Sequence, residues 1–73
     1  MANFIDRIQF LKLEHKLLQK DMAKVAEISL RTYQRYESGE RIPDLEVLIK
    51  LADYFNVSTD YLLGRSNDPT RYL

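Results

Sequence analysis

Arg31, Gln34, Arg35 and Ser38 carry the most suggestive chemistry in the chain. On a wheel of about 100° per residue begun at Leu30, they fall together between about 40° and 140°. Tyr33 and Tyr36 fall on the other side, at about 300° and 240°. One face is aromatic and reads as core. The opposite face is a stripe of long hydrogen-bonding side chains. Arginine presents a donor fork that fits guanine O6 and N7, and glutamine can pair with adenine N6 and N7. A stripe of this kind is also the ordinary solvated face of an amphipathic helix, so it needs context.

Other chemistries find no support in the residues. There is no cysteine and a single histidine, His15, which excludes a Cys/His zinc site. No Gly-rich phosphate loop, metal-spaced cluster or nucleophile motif is present. Ser29, Ser38, Ser58 and Ser66 read as helix caps, turn or tail. His15 falls on the apolar stripe of the first helix, as a core or boundary residue. The expectation is a protein without enzymatic activity, metal, cofactor or small-molecule ligand.

At 73 residues the chain is one domain, small enough that its stability must come from packed helices. No signal-peptide pattern is visible. No apolar run is long enough to span a membrane, so a cytoplasmic location is expected. Eleven Lys/Arg balance eleven Asp/Glu. The balance is uneven along the chain. Residues 1–41 hold eight basic and six acidic residues, net +2; residues 42–73 hold three and five, net −2. A phosphate-binding face therefore belongs in the N-terminal half, with modest non-specific affinity.

Five short helices must position the stripe. The first spans about Asn3 to His15, with Phe4, Ile8, Leu11 and His15 at helical spacing. The second covers Gln19 to Ala26, with Met22 and Ala23 facing inward. The third follows Ser29, whose hydroxyl can accept a free backbone N–H, and ends near Ser38, where Gly39 supplies a left-handed stop. The fourth follows Asp44 and carries Leu45, Leu48, Leu51, Ala52 and Phe55 inward. The fifth follows Ser58, has Asp60 in its first turn, where the helix dipole favours an anion, and stops at Gly64. The tail from Arg65 to Leu73 reads as irregular. The reading is all-α, with residues 1–64 as the folded domain and 65–73 as a C-terminal tail.

The segment QKDMAKVAEISLRTYQRYESGERIPDLEVLIKLADYFNVSTDYLLG supplies the context. It resembles the Cro/cI-type, or XRE, helix-turn-helix family, whose fold is a five-helix lambda-repressor-like bundle. With Ile8, Leu11 and Lys12 included, the resemblance covers 57 of 73 residues. Gln19, Ala23, Ser29, Arg35-Tyr36-Glu37, Gly39 and Pro43 stand at family spacing. The resemblance implies a transcriptional regulator, of repressor type in phage and bacteria, that reads double-stranded DNA. It implies DNA contacts from Gln19, Leu30, Arg31, Thr32, Gln34 and Arg35. It further implies phosphate contacts from the loop of Gly39, Glu40 and Arg41, and an ion pair between Lys12 and Glu37. Such domains commonly bind near-palindromic operators as homodimers.

The chain departs from the family pattern at three places. Glu27 stands where the family usually has glycine, in the turn between the second and third helices. Lys16 replaces a frequent glycine and Leu18 a frequent capping serine. Either Glu27 is left-handed and strained by its Cβ, or the turn differs slightly from the usual form. Leu30 stands at a position that is often polar; it either touches a thymine methyl or takes no part. Phe10 and Leu13 lie opposite the core stripe of the first helix. With Tyr72 and Leu73 they are the candidates for dimer or tail contacts, against the alternative that scattered exposed apolar residues are ordinary. The rival reading is a protein-interaction module, antitoxin-like or adaptor-like, on the same fold.

Overall fold

The computed structural model describes residues 3–71. Five helices follow one another: α1 Phe4–Glu14, α2 Gln19–Ala26, α3 Leu30–Ser38, α4 Leu45–Phe55 and α5 Thr59–Leu62. No strand occurs among the described residues. Local signals set most of the boundaries. Asn3, Ser29, Asp44 and Ser58 each accept a backbone N–H three residues on, which satisfies a donor that the helix itself leaves free. Leu18 cannot do this. At the start of α2 the carboxylate of Asp21 instead accepts the Leu18 amide at 2.9 Å.

Glycine is needed at the end of α3. Gly39 has φ +80°, and a Cβ there would meet Ile5 Cδ1 at 3.2 Å. Glu27 takes the same left-handed region, with φ 58° and ψ 44°, so the turn keeps this conformation without a glycine. The amides of Glu27 and Ile28 close α2 onto the carbonyls of Lys24 and Ala23. Lys16 and Asn56 are also left-handed.

Ile8, Met22, Tyr33, Leu51 and Leu62 meet in the centre of the bundle and are fully buried. Tyr36 is buried with them, so both tyrosines of α3 are core. Two inward expectations fail. Leu45 is 71% exposed: it sits in the first turn of α4, at the edge of the buried arc, and Leu48 one turn on takes the core direction. His15 is exposed at the C-cap of α1. It touches the core only at its rim, its ring set edge-on to Phe55 with centroids 5.0 Å apart.

The described part of the tail, residues 65–71, has no regular structure but is fastened to the bundle. Arg7 is buried in α1, with its guanidinium 3.9 Å over the Tyr61 ring. Its Nη2 donates to Asn67 Oδ1 at 2.8 Å. The Ser58 amide donates to the Pro69 carbonyl at 3.0 Å, and Arg71 pairs with Asp53. Tyr72 and Leu73 lie outside the described residues.

Candidate nucleic-acid interface

The stripe on α3 faces outward as the wheel predicted. Arg31 and Gln34 are exposed, Leu30 is 43% exposed, and Thr32 and Arg35 are half-buried. No carboxylate among the described residues pairs with Arg31, which leaves its fork free. Arg35 stands 3.9 Å from Glu40, a loose contact at an exposed site. The Thr32 hydroxyl accepts from Ser29 Oγ at 2.9 Å, and its amide donates to the same oxygen at 3.1 Å. Thr32 is thus part of the cap that starts the helix.

Gln19 joins this face from α2. Gln34 Nε2 donates to Gln19 Oε1 at 3.1 Å. The bond sets the open N-terminal turn of α2 against the outer stripe of α3. First-turn amides have no partner inside a helix, and the helix dipole makes that end attractive to anions.

Behind the stripe lies a polar hub that the sequence showed only in part. Lys12 pairs with Glu37, Nζ lying 3.0 Å from Oε1 and 2.9 Å from Oε2. The Glu37 side chain is only 7% exposed, so this is no solvated surface pair. Gln19 Nε2 donates to Glu37 Oε1 at 3.1 Å, and the Tyr33 hydroxyl donates to Oε2. Burial works to raise the Glu37 pKa. The hydrogen bonds from Tyr33, Lys12 and Gln19, with the Lys12 charge, more than offset it and hold the carboxyl below 4.5. Burial, and then Glu37, push the Tyr33 hydroxyl well above its ordinary 10.0. The outer part of this network has a sequence signal: both Gln19 and Glu37 lie in the family pattern. Tyr33 reaches Glu37 from one turn back on the same helix, a spacing the sequence carries; the burial of Glu37 depends on how the helices cross, and that is not written locally.

The loop after α3 is occupied in a way the resemblance did not imply. The amides of Gly39, Glu40 and Arg41 already donate to the carbonyls of Tyr36, Arg35 and Arg35. They cap the end of α3. The Arg41 side chain, exposed beside them, is the group this loop has to offer a phosphate. On the far side of the turn, Lys50 of α4 holds Glu27 at 2.6 Å and Glu46 at 3.4 Å. Hydrogen bonding and charge from Lys50 lower the Glu27 pKa. Phe10 and Leu13 are exposed, at 52% and 72%. Ile42, 87% exposed, and Leu45 are further exposed apolar residues, outside α1.

Two capped helices joined by a short turn, the second with its outer face free, define a helix-turn-helix unit inside a five-helix bundle. Residues 8–62 match the HTH_3 helix-turn-helix family, and the chain belongs to that family. It is 44% identical over 55 residues to the cryptic phage CTXphi transcriptional repressor RstR of Vibrio cholerae, which covers 71% of this chain and 49% of that protein. It is 35% identical over 66 residues to the HTH-type transcriptional regulator YobD of Bacillus subtilis, covering 90% of this chain and 59% of that protein. The chain thus spans about half the length of these relatives. Among solved structures, the P22 c2 repressor in complex with a synthetic operator superposes with a TM-score of 0.80 at 26% identity, covering 90% of this chain and all of that one. A transcriptional regulator from Listeria innocua gives the same TM-score at 42% identity, covering 85% of this chain and 58% of that one.

Proposed function

We propose that this chain is a DNA-binding transcriptional regulator of repressor type, which places α3 in the major groove. The observation that carries this is the free outer face of α3, tied to the open end of α2 through Gln34 and Gln19. The repressor–operator likeness supports the same placement. Arg31 and Arg35 read guanine edges and Gln34 an adenine. Leu30 lies beside them, and the apolar group the groove offers it is a thymine methyl. Gln19, Thr32 and Arg41 stand at the edges of this face, where contacts to phosphate fix register.

The regulator acts in the cytoplasm of a bacterium or on behalf of a phage, and it carries out no enzymatic reaction. It binds a near-palindromic operator as a homodimer, with half-sites about 34–36 Å apart. Exposed Phe10 and Leu13 are the described candidates for the dimer contact. They are also the observation that favours a protein partner instead.

Selection of random-sequence duplexes on the purified chain, repeated across salt concentrations, tests the proposal. An enriched near-palindrome with a negative salt slope is the expected result. Weak, salt-insensitive binding without enrichment would overturn it in favour of a protein-interaction module.

A further inference from the structure

Gln19 stands between a group that can only accept and a group on the outer face of α3. Its Nε2 donates to Glu37 Oε1, and its Oε1 accepts from Gln34 Nε2, both at 3.1 Å. An ionised carboxylate has no proton to give. Glu37 therefore admits the Gln19 amide one way round. Lys12 Nζ and the Tyr33 hydroxyl, gathered on the same carboxylate, keep it charged and in place.

The polarity then passes outward. Gln19 turns its carbonyl oxygen toward Gln34, so Gln34 commits one of its two N–H groups to Gln19. What Gln34 has left is one N–H and one carbonyl oxygen. That pair complements adenine, which shows an acceptor at N7 and a donor at N6. Guanine shows two acceptors, N7 and O6, and would be met by an amide with both N–H groups free. Such an amide would arise if Gln19 were reversed and donated to the Gln34 oxygen.

We infer that Glu37 is a specificity-determining positioning residue: acting through Gln19, it sets Gln34 as a mixed donor–acceptor that prefers adenine over guanine. The inference rests on the reading that α3 lies in the major groove. Glu37 itself touches no base. Its role is to give a direction to a hydrogen-bond chain that starts on α1 at Lys12 and ends on the outer face of α3.

The test is duplex selection on the full chain with wild type, Gln34→Ala, Glu37→Gln and Gln19→Ala. Gln34→Ala locates the base pair that Gln34 reads. Wild type is expected to prefer adenine over guanine there by about tenfold or more. Glu37→Gln lets the chain run either way and should lower that ratio severalfold, the remainder being the adenine pairing that an unconstrained glutamine retains. Glu37→Gln also leaves Lys12 without its counter-charge, so a weakened fold could confuse the result. Gln19→Ala leaves Lys12, Glu37 and Tyr33 together and should give the same loss of preference.

A purely structural Glu37 would lower affinity for all sequences alike and leave the adenine-to-guanine ratio unmoved in both variants, which would overturn the inference. So would a wild-type preference for guanine at that pair, or no pair that depends on Gln34. Failure of wild type to enrich any sequence is a separate outcome: it would overturn the DNA-binding reading itself, and the inference with it.

Discussion

Both halves of the molecule share one apolar core, but the half that carries the outer stripe adds to it a network of directed bonds that the backing half lacks. Around α2 and α3, side chains are tied by directed bonds: Lys12 and Tyr33 to Glu37, Glu37 to Gln19, Gln19 to Gln34. Around α4 and α5, Leu48, Leu51, Phe55 and Leu62 are held by apolar burial, with ion pairs at the rim. Apolar burial is non-directional. A hydrogen bond constrains distance and angle. The directed bonds lie where side chains must present donors in register, and undirected packing lies where bulk suffices.

That contrast can be broken most severely from the apolar side. Leu51→Ala removes a fully buried side chain and should cost about 3 kcal/mol. In a domain this small that is a large fraction of the total. Denaturant unfolding would show it, and operator affinity should fall only as far as the folded population does. Unchanged stability would mean that the backing half is not held as described.

Lys12→Ala attacks the directed side. It leaves a largely buried carboxylate without its cation and should cost about 2 kcal/mol near neutral pH. The folded Glu37 pKa lies below 4.5, so the unfolded chain takes up this proton first. Its stabilising contribution is present above about pH 4.5 and is lost as pH falls through the lower folded value. The gap between wild type and Lys12→Ala should therefore close in acid, as urea titrations at several pH values would reveal. Tyr33 has the opposite sign. Its folded pKa is raised above 10.0, so its contribution is complete below that pH and is lost as pH rises beyond it.

Arg31→Ala sharpens the contrast, because Arg31 belongs to neither set of ties. Stability should stay within about 0.5 kcal/mol, while discrimination at one base pair falls by about 1–3 kcal/mol. Competition binding against single-base operator variants would measure it. The smallest effect is expected at Glu27, where Gly relieves a left-handed backbone but loses the Lys50 contact. The two changes oppose each other, and a slight rise in melting temperature is expected. A marked fall would show that Lys50 matters more than the backbone strain.

Local chemistry made most of the fold legible. Ser29, Asp44 and Ser58 announce helix starts, Gly39 a stop, and the alternation of Tyr33 and Tyr36 with Arg31, Gln34 and Arg35 separates two faces of α3. Periodicity gives direction without saying how far the core reaches, which is why Leu45 and His15 lie nearer the surface than their spacing suggests. Lys12 and Glu37 were legible as a pair through the family resemblance. That Tyr33 reaches Glu37 is legible in their four-residue spacing on α3, whereas the burial of Glu37 and its bond to Gln19 follow from helices meeting and have no local mark. Nor does the docking of the tail: Asn67 and Pro69 read as turn formers, and nothing beside them names Arg7 or Ser58.

Arg7 and its partner Asn67 stand 60 residues apart in the chain, and this separation bears on how the protein is made. Synthesis runs from the N-terminus, so α1 is made well before Asn67, which accepts from the Nη2 of its buried arginine. Until then the guanidinium keeps water as its partner, and Tyr61, which it covers, is also still to come. The packing of Arg7 thus waits on Tyr61 and Asn67, and this corner of the bundle can close only after both have been made.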